Sequence, residues 1–199
     1  MEKTSRWCER IIEKGLWVLL FIVPLAMFSY ARTGFLLFKV LVTQGILLLL
    51  LLVWIIKMIL EKEIRLVRTP LDLPILLLFF FSLLSLINVF HFAVGLQELF
   101  TLLTYILLFY LIVNNLKTFR QVERIFIPVF LAATLVSIEG ILENWGLGVL
   151  VTRGERPPEI FSFLGNPNYI AQYLITVLPF SIILSLFANS KVKKTLSAL

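Results

Sequence analysis

The chain has 199 residues, of which 60% are hydrophobic and 15% charged, with a formal net charge of +6 and a mean hydropathy of +0.99. Soluble domains carry about half apolar residues, so this composition excludes an ordinary soluble protein and puts the chain in a bilayer. A single cysteine, Cys8, and a single histidine, His91, cannot build an internal disulfide or a structural zinc site, and no Gly-rich phosphate loop or Gly-x-Ser-x-Gly signature is present, so no metal and no cofactor are expected.

A bilayer span needs roughly 20 mostly apolar residues, and only helices or closed barrels satisfy their backbone inside hydrocarbon. The apolar runs here are continuous rather than alternating, which predicts helices. The expected fold is all-α: a polytopic integral membrane bundle of about six transmembrane helices. The runs fall at about 15–30, 35–60, 71–90, 99–113, 125–142 and 169–187. Arg32, Thr69-Pro70, the polar stretch 91–98, Asn114-Asn115 and a long connection over 143–168 mark their ends. With no internal repeat or low-complexity linker, one transmembrane domain over 1–199 is the simplest division. The first run also admits a signal-peptide reading, since Ser29-Tyr30-Ala31 loosely fits a small-residue cleavage site.

Lys and Arg of short loops collect on the cytoplasmic side. Lys3, Arg6, Arg10 and Lys14 precede the first run; Lys57, Lys62, Arg65 and Arg68 lie between the second and third; Lys117, Arg120 and Arg124 lie between the fourth and fifth; Lys191, Lys193 and Lys194 follow the sixth. The other connections hold only Arg32, a loop around His91 with no Lys or Arg, and Arg153 with Arg156. Both termini are therefore expected in the cytoplasm and the 143–168 loop outside. The net positive charge then reads as a topology signal beside anionic lipid, and no nucleic-acid partner is expected.

The outer connection, "LGVLVTRGERPPEIFSFLGNPN", is longer than an ordinary helix-to-helix link and too apolar to float free, so it is expected to lie along the interface with Phe161, Phe163 and Leu164 in the headgroup boundary. At its end Asn166 suits a helix N-cap and Pro167 the first helical position. The sixth helix would then open with uncapped amides and its positive dipole end outward, an arrangement that favours an anion such as phosphate, with Arg153 or Arg156 closing on it. The plain alternative is a helix cap with both arginines among lipid headgroups.

The run "FLGNPNYIAQYLITVLP" resembles the Gly-Asn-Pro-Asn motif of the O-antigen ligase and polymerase superfamily, in which the motif opens a helix after an outward, arginine-bearing loop. "TPLDLPILLLFFFSLLSL" is similar to an earlier helix of the same family. The resemblance implies an inverting, lipid-dependent glycosyltransferase of the bacterial inner membrane, multi-pass, that moves a glycan from an undecaprenyl-diphosphate carrier to an acceptor on the outer face. It implies that Asn166, Pro167 and Asn168 shape the carrier site and that Arg156 or Arg153 binds the diphosphate, although Arg156 lies farther from the Asn-Pro-Asn than the family places its arginine. The family also has about twice as many helices and a later outer loop with a catalytic histidine; nothing here matches that loop, and His91 lies in the wrong connection. The chain is therefore expected to be the carrier-binding, N-terminal half of such a fold, inactive alone, with no catalytic residue assigned. Its expected partners are a lipid-linked oligosaccharide or polysaccharide, membrane lipids and a separate C-terminal half.

Ionisable residues within spans are costly and often functional. Lys39 is near a helix end and can snorkel. Glu139 and Glu143 share one face of the fifth helix, where they would bind a cationic or sugar group or, for Glu139, hydrogen-bond a neighbour such as Gln44. Asn168 and Gln172 align on the sixth helix, in which Pro179 should free the carbonyl of Ile175. Tyr169 and Tyr173 suit either an interfacial belt or a sugar platform. A small-solute transporter, which would call for paired half-helices and internal symmetry, and a non-catalytic membrane scaffold remain open beside the glycan-transfer reading.

Overall fold

The structure is a computed structural model and describes residues 2–27, 34–63, 66–148 and 159–187. Arg32, Arg65, Ser29-Tyr30-Ala31, Arg153, Arg156 and the basic tail with Lys191, Lys193 and Lys194 lie outside the described residues. Among the described residues there are six α-helices and no strand: α1 (Glu2–Leu25), α2 (Gly34–Glu61), α3 (Asp72–Ser85), α4 (Phe92–Asn115), α5 (Phe119–Asn144) and α6 (Pro167–Phe187). Short 3-10 turns occupy Leu86–Asn88 and Ser162–Leu164.

Four segments, Leu36–Glu61, Phe92–Asn115, Phe119–Asn144 and Pro167–Leu186, are long and apolar enough to cross a membrane. The shortest has 20 residues, which at 1.5 Å per residue reaches the roughly 30 Å of a bilayer's hydrocarbon core. The architecture is that of a multi-pass membrane protein. Large apolar side chains stay exposed along these helices, Leu48, Leu49, Ile59 and Ile175 among them, as expected where hydrocarbon replaces water around a helix apolar on every side.

Several helix ends depart from the apolar runs. α1 takes in the charged segment from Glu2, and α5 begins two turns before position 125 because Thr118 and Gln121 form a capping box, each side chain accepting from the other's backbone amide. α4 absorbs most of the polar stretch that the sequence suggests as a loop: it starts at Phe92, with the His91 carbonyl accepting from Val94 and Gly95. Gly95 lies close against the segment before it: a Cβ there would come within 2.8 Å of Leu86 Cδ2, a side-chain end that can swing aside. α3 is shorter than its apolar run, ending at Ser85 and tightening into the 3-10 turn, where Gly95 of α4 comes up against Leu86 and Val89.

The chain divides into two compact units, one of Met1–Glu13 with Thr43–Lys117 and one of Lys14–Val42 with Thr118–Leu199. In the first, α2 buries Thr43, Leu47, Leu50, Trp54 and Lys57, a stripe of alternating fours and threes. Lys57 ends that stripe at 3% exposure, and its ammonium sits 3.0 Å from Glu9 Oε1 and 3.3 Å from Asn115 Oδ1. Lys117 reaches the same Glu9 oxygen at 3.2 Å. Asn114 receives the Val67 amide at 2.7 Å and so ties down the approach to α3, while Asn115 serves Lys57 of α2, so neither merely ends α4. The Gln44 amide donates to Thr104 Oγ1.

In the second unit α5 buries Phe130, Ala132, Ala133, Val136, Glu139, Gly140 and Glu143, and Val177 of α6 joins Phe130 and Ala133 in its core. Phe126 stacks on Phe180 with centroids 4.7 Å apart. Lys39 closes on Val23, Pro24 and Ala26 carbonyls at 3.0, 2.8 and 2.7 Å. It therefore satisfies the orphan carbonyls at the end of α1 instead of reaching for headgroups, because those carbonyls are nearer acceptors for a cation at a helix C-terminus.

Candidate functional site

The turn that leads into α6 is built on α5. Glu143 is 1% exposed, and its Oε2 accepts the Phe161 amide at 2.9 Å and the Ser162 amide at 2.7 Å. Successive amides converge on one oxygen because Phe161 is right-handed (φ −102, ψ −33) and Ser162 has a positive φ of 44, the alternation that makes an anion-holding nest of backbone. Ser162 is fully buried and its hydroxyl donates to the Val136 carbonyl at 2.8 Å, which holds a non-glycine residue in a costly conformation. Gly165, with φ 73, then ends the 3-10 turn, its amide donating to the Phe161 carbonyl at 2.8 Å.

α5 ends where this clasp needs it. Gly146 has φ 74, its amide donates to the Glu143 carbonyl, and the Leu147 amide donates to the Leu142 carbonyl, the paired bonds of a Schellman motif. The backbone then passes so close over the two glutamates that a Cβ on Gly148 would lie 2.9 Å from Glu143 Cα and 3.0 Å from Glu139 Oε1. Gly140 admits Ile160, whose Cγ2 is 3.3 Å from where a Cβ would stand.

Asn166 is the N-cap of α6 and Pro167 its first residue, as the sequence leads one to expect. Asn166 Oδ1 accepts the Asn168 amide at 2.8 Å, and its carbonyl accepts the Tyr169 and Ile170 amides at 3.1 and 3.2 Å. The expectation of uncapped amides at this end is thus corrected: proline has no amide hydrogen, and Asn166 takes the next three. The donors on offer to an anion are side chains instead. Asn168 and Gln172 are exposed one turn apart on the same face of α6, and only the macrodipole remains from the backbone.

Of the expected site residues, Asn166, Pro167, Asn168 and Gln172 are brought together, while Arg153 and Arg156 lie outside the described residues. Glu139 is 3% exposed beneath Gly148. Burial at that depth makes it a poor surface for a bulky sugar. Glu143 is committed to backbone amides, so it holds the turn rather than a cationic or sugar group. Tyr169 is exposed near the mouth, whereas Tyr173 leans on the Phe130–Val177 core and donates to the Val129 carbonyl at 3.3 Å. His91 is exposed and edge-on to Phe90. Pro179 lies inside α6, where Ile175 is 71% exposed. The role of Ser162 has no local signature beyond its place three residues before Gly165; it is set by Glu143 and Val136 of the preceding helix. No protein-family model, curated protein or solved structure matches this chain.

Proposed function

We propose that this chain binds an undecaprenyl-diphosphate-linked glycan at the outer face of the bacterial inner membrane and belongs to a glycan-transfer machine of the O-antigen ligase and polymerase type. Four of the six helices are long and apolar enough to span; with α1 and α3 counted as crossings too, the Lys and Arg distribution would put both termini in the cytoplasm and the 143–168 connection with the start of α6 outside. One observation carries the reading: the Asn166-Pro167-Asn168 turn is not a loose cap but is anchored through Ser162 and Glu143 to α5, so that Asn168 and Gln172 are presented at a fixed place at the head of an apolar helix. A diphosphate on a long isoprenoid needs amide and guanidinium donors beside hydrocarbon; α6 presents the amides of Asn168 and Gln172, and Arg153 or Arg156 of the preceding connection would supply the guanidinium. Those donors would neutralise the diphosphate as it leaves the transferred sugar. The base that activates the acceptor hydroxyl is assigned to no residue of this chain.

The test is binding of undecaprenyl diphosphate to the purified protein in detergent, with Arg153→Ala, Arg156→Ala and the Asn168→Ala/Gln172→Ala pair. Salt-sensitive binding that one arginine variant abolishes and the amide pair weakens about tenfold supports the carrier site. Affinity unchanged in all three variants removes it and leaves a helix cap.

A further inference from the structure

A second site stands in the first unit, away from the α6 turn. The approach to α3 and the α3–α4 hairpin enclose a groove of about 610 Å³, within the size range of small-molecule sites. Ile75, Leu76 and Phe79 of α3 and Leu103 and Ile106 of α4 wall it, and Arg68, Asp72 and Tyr110 stand at its mouth. α3 buries none of its residues among those described, so in a bilayer its apolar side would be open to lipid. Asp72 to Phe79 is seven residues, about 10 Å of helix, against roughly 15 Å for one leaflet's share of a bilayer core. Such a cleft, polar at one end and apolar for most of a leaflet, fits an amphiphile drawn from the membrane.

The mouth sets the headgroup. The Asp72 carboxylate accepts Thr69 Oγ1 at 2.6 Å, the Thr69 amide at 3.0 Å and the Tyr110 hydroxyl at 3.0 Å. Three of its roughly four acceptor positions are filled, which fixes the group and leaves one open on Oδ2. Arg68 is exposed at the same mouth and carries the planar donor fork that suits phosphate. One cation and one anion side by side match a zwitterion, not a net anion.

We infer that this groove holds one acyl chain of a phosphatidylethanolamine-type lipid, with the lipid phosphate on Arg68 and its primary ammonium on the open position of Asp72. A choline headgroup has no N–H to give to Asp72, and a glycerol headgroup brings phosphate without a cation. The inference does not rest on the carrier reading, whose arginines and amides belong to the other unit.

The experiment is native mass spectrometry of the full chain in detergent, titrated with ethanolamine, choline and glycerol phospholipids of identical acyl chains. The ethanolamine lipid is expected to be retained about tenfold more strongly than either other lipid, and Arg68→Gln to cut that retention about tenfold. Asp72→Asn should erase the preference for ethanolamine over choline, and Ile106→Trp, which fills the groove, should lower retention of all three. Asp72 also anchors Thr69, so Arg68→Gln, exposed and outside any helix, is the deciding variant. Equal retention of the three headgroups by the wild type, or ethanolamine-lipid retention that Arg68→Gln leaves untouched, overturns the assignment.

Discussion

Glu143→Ala removes the oxygen from which the 160–168 turn hangs. Glu143 Oε2 accepts two backbone amides at 2.9 and 2.7 Å, within a side chain 1% exposed. Each buried amide left without an acceptor costs about 1–3 kcal/mol, so the turn loses roughly 2–6 kcal/mol against local opening. Melting of a membrane protein is commonly irreversible and reports a rate; hydrogen exchange of the amides themselves reports the local equilibrium. At 1.4 kcal/mol per decade, even the lower bound speeds exchange of the Phe161 and Ser162 amides about 30-fold.

The expected pattern is local. Amides of α5 around Phe130 and Val136 should exchange as in the wild type, while those of the turn should lose most of their protection. Glu143→Gln keeps an acceptor oxygen and gives up only the difference between charge-assisted and neutral bonds, about 1 kcal/mol for each. Its exchange should fall between the two. Because the same turn positions Asn168, carrier affinity should drop in parallel in Glu143→Ala. Unchanged exchange at both amides in the alanine variant would refute the clasp and, with it, the argument that the α6 mouth is held in place.

Gly148→Ala puts a methyl 2.9 Å from Glu143 Cα, a backbone atom that cannot swing aside; a destabilisation of about 1–3 kcal/mol is expected, read as a lowered melting temperature in detergent. Asn166→Ala should cost about 1 kcal/mol through the lost N-cap, whereas Pro167→Ala should be close to neutral, and exchange of the Asn168 amide separates them. Partial burial pushes the Glu9 carboxyl up, but its hydrogen bonds and charge attraction with Lys57 and then Lys117 outweigh that and hold it below its ordinary 4.5. A carboxyl depressed on folding stabilises the fold above its unfolded value and loses that contribution as pH falls through the folded one, so melting should drop below about pH 4.5 in the wild type and less steeply in Glu9→Gln. Lys57→Met should cost more than Lys117→Met, since Lys57 is 3% exposed and also holds Asn115, while Lys117 is a surface partner worth at most about 1 kcal/mol.

How far the sequence carried depended on the kind of signal. Continuous apolar runs announce a helix in hydrocarbon whatever its neighbours do, and α2 and α6 lie within two residues of those runs. Helix ends answer to shorter-range chemistry. The capping box at Thr118 is legible in "TFRQ" but is overshadowed by the charges that follow it, and the start of α4 at Phe92 is marked by the His91 carbonyl accepting from Val94 and Gly95, which no local pattern announces. Asn114 and Asn115 read as breakers and turn out to be buried donors and acceptors, since an asparagine's local hydrogen bonding serves a tertiary partner as readily as a turn. Lys39 read as a snorkelling cation, and only the position of the α1 carbonyls redirects it.

The α6 mouth shows the same division at the scale of chemistry. "GNPN" announces both a cap and an anion site, and the two compete for the same amides. In the folded chain the cap wins: Asn166 takes the amides of Asn168, Tyr169 and Ile170, and the carboxylate of Glu143 takes those of Phe161 and Ser162. On the proposed carrier reading, an anion arriving there would meet a backbone already spent and would have to be held by side chains such as the exposed amides of Asn168 and Gln172. Side-chain donors are mobile where backbone donors are fixed, so affinity at this mouth depends on how firmly the turn beneath it is held. That requirement gives Glu143 its place: a buried acid four residues beyond Glu139, touching no ligand, holds in position the groups that would.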